Sequence, residues 1–180
     1  MTLASWITLS RLLAVPILMV GLYWPNTAAA FPPAQTRWIC VVVFLIAAGT
    51  DWLDGYVARR FNQITDLGKV LDPLVDKLLV FAPLLCLVEL HSIPAWSVFV
   101  ILLRELAIAG WRVQQTQISG ANGWGKAKTV CQIIAIALLI APLDGVLHQV
   151  AIAAYSCAII LTLISGGIYL WPKSTTATTR

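Results

Sequence analysis

Five of the eight acidic residues in this chain, Asp51, Asp54, Asp66, Asp72 and Asp76, fall within one short stretch of sequence. Four of them, Asp51, Asp54, Asp72 and Asp76, sit inside or at the mouths of two long apolar segments. A carboxylate at membrane depth costs several kcal/mol unless it is paired or coordinates a cation. Four together also repel one another, so divalent cations are the natural neutralising partners. On a helix, Asp51, Asp54 and Ala58 share one face with Gly55 beside them, and Gly68, Asp72 and Asp76 share a face of the next helix. The connecting loop is short, which makes the two helices antiparallel neighbours and brings both sets of carboxylates to one end. Oxygen donors without histidine or cysteine suit a hard cation, Mg²⁺ or Mn²⁺, rather than Zn²⁺. Two cations held in this way neutralise phosphate oxygens, stabilise a leaving phosphate and position a nucleophile. One carboxylate must then act as general base, and Asp76, deepest in its helix, is the better candidate. Gly55 and Ala58 leave the helix surface bare. Alone, such a pair more often marks helix packing; beside four aspartates, room for a ligand is the stronger reading.

The elements that must position these residues follow from composition. The chain has 180 residues, 59% apolar and 11% charged, with a mean hydropathy of +0.85. Soluble domains run to roughly 45–50% apolar and about 25% charged residues. A water-soluble globule, a disordered chain, a collagen-like repeat and a secreted disulfide scaffold are all excluded. Six stretches approach the roughly 20 apolar residues a spanning helix needs: 5–23, 37–58, 70–90, 94–112, 127–142 and 148–170. Helices are the natural form for such spans, because backbone groups find no water there. The expected architecture is an all-α polytopic membrane protein with six transmembrane helices. A single domain covers 1–172, and 173–180 is a short Thr-rich tail.

Orientation follows from the basic residues. One side receives Arg59, Arg60, Lys69, Lys77, Arg112, Lys126, Lys128, Lys173 and Arg180, and the other only Arg37. The positive-inside rule places both termini and the carboxylate end in the cytoplasm, in a multi-pass protein of the cell membrane. Most of the eight tryptophans, among them Trp6, Trp24, Trp38, Trp96, Trp111 and Trp171, fall near span ends, as an aromatic belt would. Met1–Ser10 has no basic region or cleavage site of a removable signal peptide. The four cysteines, Cys40, Cys86, Cys131 and Cys157, form no C-x-x-C pair and read as buried small apolar side chains. The net charge of +4 reports topology and lipid contact, not nucleic acid.

The string Asp51-x2-Asp54-Gly55-x2-Ala58-Arg59-x8-Gly68-x3-Asp72-x3-Asp76 resembles the signature of the CDP-alcohol phosphatidyltransferases, with all eight positions filled at family spacing. The resemblance implies a dinuclear Mg²⁺ or Mn²⁺ site surrounded by Asp51, Asp54, Asp72 and Asp76, with Asp76 as the base. It implies CDP binding by Asp54, Gly55, Ala58, Arg59 and Gly68, and a homodimer. The implied reaction is attack by an alcohol oxygen on the phosphate attached to diacylglycerol, with CMP leaving.

Further stretches resemble the bacterial branch that uses glycerol 3-phosphate as acceptor and makes phosphatidylglycerophosphate. They are Thr8-x2-Arg11, Leu71-Asp-Pro-x2-Asp-Lys, Arg104-Glu105 and Gly125-Lys126-x-Lys128-Thr129-x2-Gln132. Ser5 departs from the asparagine often found there.

An anionic acceptor suits Arg104, Arg112, Lys126 and Lys128, which gather at the cytoplasmic ends of spans four and five. The bland readings are a structural Arg104–Glu105 ion pair, and lysines that set topology or touch anionic head groups. Asp66 reads as a solvated loop residue, and His91 and His148 receive no role. Expected partners are CDP-diacylglycerol, glycerol 3-phosphate and membrane lipids. An alternative keeps the chemistry and changes the acceptor, to phosphatidylglycerol for cardiolipin or to an inositol phosphate. A divalent-cation transporter is the remaining class, but transport needs carboxylates near the midplane with access from both sides.

Overall fold

A computed structural model describes residues 3–23, 33–61, 66–114 and 123–170, with side chains described for 9–23, 34–50, 74–110 and 127–167. The described residues form six α-helices and no strand: α1 Leu3–Tyr23, α2 Pro33–Phe61, α3 Asp66–Glu89, α4 Ala95–Gln114, α5 Gly123–Ile140 and α6 Val146–Leu170. Each coincides with one of the apolar stretches. Asp66 departs from expectation, since it opens α3 and is not a loop residue. An acidic residue favours that position because a helix N-terminus carries partial positive charge.

Among the described residues, one helix segment, Val146–Gly167, is by itself long and apolar enough to cross a membrane. Shorter apolar segments run over Leu9–Tyr23, Ala34–Thr50 and Ala127–Ile140.

The most extensive packing joins α5 to α6, α1 to α3 and α1 to α2. Small side chains make the first of these close: Ala135, Ala151 and Ala158 have no exposed surface. Small residues let helix backbones approach and gain dispersion contacts along their length. Leu18 of α1, Phe44 of α2, Leu84 and Leu87 of α3, Ile101 of α4, and Ile136 and Ile140 of α5 fill the centre. Ser97 of α4 and Tyr155 of α6 share a buried hydroxyl–hydroxyl hydrogen bond of 2.8 Å. Large apolar side chains on all six helices point outward, among them Ile17, Ile46, Leu85, Phe99, Val130 and Leu163. Cys40 and Cys86 are buried as expected, whereas Cys157 is exposed on α6, where a small apolar thiol sits among other outward apolar groups.

The α3–α4 connection is built from backbone hydrogen bonds. Ser92 N donates to Leu87 O and His91 N to Val88 O, each at 2.9 Å. These are the paired bonds of a Schellman cap, with His91 in the left-handed position at φ 56°. His148 lines a cavity of about 260 Å³ with Arg37 and Asp144, at the end of the bundle away from Asp76.

Gly21 sets the α1–α2 approach, because a Cβ built there would stand 2.6 Å from Cys40 Sγ. Gly21→Val therefore lowers the melting temperature in detergent by several degrees, for a cost of roughly 1–3 kcal/mol. Adding Cys40→Ala, which removes the clashing sulfur, recovers most of the loss. An unchanged melting temperature in the single variant would contradict this contact.

Candidate active site

The first charged element of the site comes from α1. Arg11 is 1% exposed within an otherwise apolar helix, so its guanidinium must be paired or hydrogen-bonded. The α1–α3 packing supplies the partner: Arg11 Nη1 donates to Asp76 Oδ1 in an ion pair across 65 residues of sequence. The Asp76 side chain remains 41% exposed. Asp76 is thus held by a buried cation while its side chain stays accessible.

A second network ties α4, α5 and α6. Glu105 Oε1 accepts from Lys128 Nζ, and also from Arg104 Nη1 at 2.8 Å. Arg104 Nη2 donates to Ser165 Oγ of α6 at 2.6 Å. Gly166 makes this reach possible, since a Cβ there would lie 3.1 Å from Arg104 Cγ. Two cations share one carboxylate, so the cluster keeps one net positive charge.

Between these networks lies a cavity of about 310 Å³, at the small end of the range for small-molecule sites. Asp76, Lys77, Val80 and Phe81 line it from α3, Glu105 from α4, and Lys128, Thr129 and Gln132 from α5. A carboxylate stands on the α3 wall and an ammonium on the α5 wall. The α5 ammonium can take an anionic group, and the α3 carboxylate can take a proton from a hydroxyl beside it.

Of the residues singled out from sequence, Asp76 and Lys128 meet at this cavity. Arg104 does not line it; its guanidinium is directed to Ser165 and Glu105. Asp51, Asp54, Gly55, Ala58 and Arg59 belong to α2, Gly68 and Asp72 to α3, Arg112 to α4 and Lys126 to α5; their side chains lie outside the described residues. Among the described residues, no group of three or more His, Cys, Asp or Glu converges. The donor chemistry that is described fits a hard cation: Asp76 offers an accessible carboxylate in the helix that also carries Asp72 one turn earlier. Arg11, Thr129 and Gln132 carried no role from sequence beyond their place in quoted motifs. The available signal for Arg11 was a lone cation in an apolar helix, and for Thr129 and Gln132 their spacing of one and four residues from Lys128.

Glu105→Gln leaves Lys128 and Arg104 buried without their counter-charge. Breaking such a pair costs about 3–5 kcal/mol, so the variant melts at least several degrees lower in detergent. Glu105→Gln with Lys128→Met recovers part of this. Equal melting temperatures for wild type and Glu105→Gln would show that the pair is not a structural element.

The sequence profile of the CDP-alcohol phosphatidyltransferase family matches residues 1–164. The chain is 39% identical over 180 residues to the CDP-diacylglycerol–glycerol-3-phosphate 3-phosphatidyltransferase of Bacillus subtilis (strain 168), covering 93% of this chain and 92% of that protein. Proteins of the same name from Shigella flexneri serotype 5b and Sodalis glossinidius are 36% and 34% identical. The first alignment covers 91% of this chain and 90% of the relative, the second 95% and 94%.

Proposed function

The chain belongs to the CDP-alcohol phosphatidyltransferase family, and from that premise we propose that it transfers the phosphatidyl group of CDP-diacylglycerol to glycerol 3-phosphate, giving phosphatidylglycerophosphate and CMP. The observation that carries this reading is the cavity between Asp76 and Lys128, taken with near full-length similarity to proteins named for this reaction. A small phosphorylated alcohol presents the two groups the cavity is chemically equipped to receive. Its phosphate goes to the ammonium of Lys128, with Arg112 and Lys126 adding positive charge from the same ends of α4 and α5 and Arg104 holding the cluster together. Its terminal hydroxyl goes to Asp76. As the hydroxyl oxygen bonds to the phosphorus attached to diacylglycerol, the proton passes to Asp76, the bridging P–O bond breaks and CMP leaves with that electron pair.

The ion pair with Arg11 orients Asp76 for this step. Gly55 and Ala58 leave space for the cytidine nucleotide, and Asp54, Arg59 and Gly68 complete its site. Asp51, Asp54, Asp72 and Asp76 are the residues that would hold one or two Mg²⁺ or Mn²⁺ ions, whose bound charge offsets that of the diphosphate and of the departing CMP.

The enzyme works as a six-span protein of the cell membrane, its site on the cytoplasmic face, and as a homodimer. Outward apolar side chains on every helix support the membrane reading. The excess of basic residues at the ends carrying the 62–65 and 115–122 connections supports the orientation.

The test uses purified protein in detergent with CDP-diacylglycerol, Mg²⁺ or Mn²⁺ and radiolabelled glycerol 3-phosphate. Label should enter the lipid phase with release of CMP, and Asp76→Asn should reduce the rate by about 10²–10⁴-fold. CMP release only with another alcohol would keep the family chemistry and change the acceptor. No CMP from folded protein with any alcohol would overturn the reading.

A further inference from the structure

Gln132 lines the cavity from α5 and is 4% exposed. Its side-chain nitrogen Nε2 is buried and has no hydrogen-bond partner among the described residues. A buried amide N–H left unmade is costly, and native interiors rarely tolerate one without a reason. A neighbouring apolar contact cannot relieve it. A ligand oxygen in the cavity can, once the Gln132 side chain rotates to bring its amide to the cavity wall.

The surroundings say which oxygen. Lys128 lies one helical turn before Gln132 on α5, so their Cβ atoms are about 5–6 Å apart on the same face. The ammonium of Lys128 takes the phosphate, because a charge-assisted bond outcompetes a neutral one. Asp76 takes the reacting hydroxyl across the cavity. Glycerol 3-phosphate has one further oxygen, the C2 hydroxyl, placed between these two groups on a three-carbon chain. Resting on the transferase reading above, we infer that Gln132 is a specificity-determining residue whose Nε2 donates a hydrogen bond to the C2 hydroxyl oxygen of the acceptor. The selected substrate class is a polyol phosphate with a hydroxyl adjacent to the reacting carbon, in preference to a simple alkanol phosphate. A site built around such a bond rejects the analogue lacking the hydroxyl, because the buried donor is then left unpaired.

The discriminating probe is propane-1,3-diol monophosphate, which keeps the phosphate and reacting hydroxyl and lacks only the C2 oxygen. CMP release is measured with CDP-diacylglycerol and each acceptor, for the wild type and for Gln132→Met, a near-isosteric apolar replacement suited to a helix bundle. The wild type should favour glycerol 3-phosphate by about tenfold or more in kcat/KM. Gln132→Met should bring the two acceptors to within about twofold, by losing activity toward glycerol 3-phosphate alone. If Gln132→Met does not accumulate as folded protein, Gln132→Asn shortens the reach by one methylene and should shrink the preference in the same sense. A variant that slows both acceptors equally and keeps the ratio would mean that Gln132 is only a packing residue, and would overturn the inference while leaving the transferase intact. A wild type that uses both acceptors alike would do the same. A wild type that releases CMP with neither would overturn the transferase reading itself, and this inference with it.

Discussion

A charged side chain buried among apolar helices must find its counter-charge on another helix, and the functional end of this bundle is organised by that requirement. Arg11 is enclosed in α1, and its pairing with Asp76 fixes α1 against α3. Lys128 is enclosed in α5, and Glu105 of α4 answers it. Neither pair makes the protein more stable than well-packed apolar residues would, since desolvation of two ions cancels much of their attraction. Their value lies in position. Breaking either one strands a buried charge, so each holds its two helices in a single register.

The same two pairs leave the cavity with opposite poles. Arg11 pairs with Asp76 without lining the cavity, and the Asp76 side chain stays accessible. Glu105 is shared between Lys128 and Arg104, so positive charge persists on the α5 wall. In the proposed reaction these poles orient a phosphorylated alcohol end to end, phosphate to α5 and hydroxyl to α3, before any bond is made. Orientation of this kind converts an encounter into a near-unimolecular step. Arg104 contributes at one remove, through Glu105 and Ser165, and Gly166 is small so that it can.

Much of this was legible in the sequence, because the signals were local. The six apolar stretches returned as six helices, since hydrophobic runs bounded by proline, glycine and charge define helices in any solvent. The aspartate spacing was legible for the same reason: it lies within two consecutive helices, and the chain's family membership agrees with the resemblance that spacing carried. What sequence could not supply was pairing at a distance. Nothing in Thr8-x2-Arg11 says that Arg11 meets a carboxylate 65 positions later. Adjacent Arg104 and Glu105 looked equally suited to an ion pair and to phosphate binding; only the packing of α4 against α6 turns Arg104 toward Ser165. Gln132 seemed one polar residue in a motif until its amide was found buried beside the cavity. Cys157 and Asp66 were misplaced for a simpler reason: an outward face among apolar helices accepts a thiol, and helix starts extend beyond the apolar run.

The Arg11–Asp76 pair is the claim on which the rest stands, and a double-mutant cycle measures it most directly. Arg11→Met, Asp76→Asn and the double variant would be compared by kcat/KM for CMP release with glycerol 3-phosphate, each first shown to be folded. If Arg11 acts by holding Asp76, the double variant is little worse than Asp76→Asn alone, giving a coupling of about 1–3 kcal/mol or more. Losses that multiply, so that removing Arg11 harms an enzyme already lacking Asp76 as much as it harms the wild type, would show that the two residues act independently.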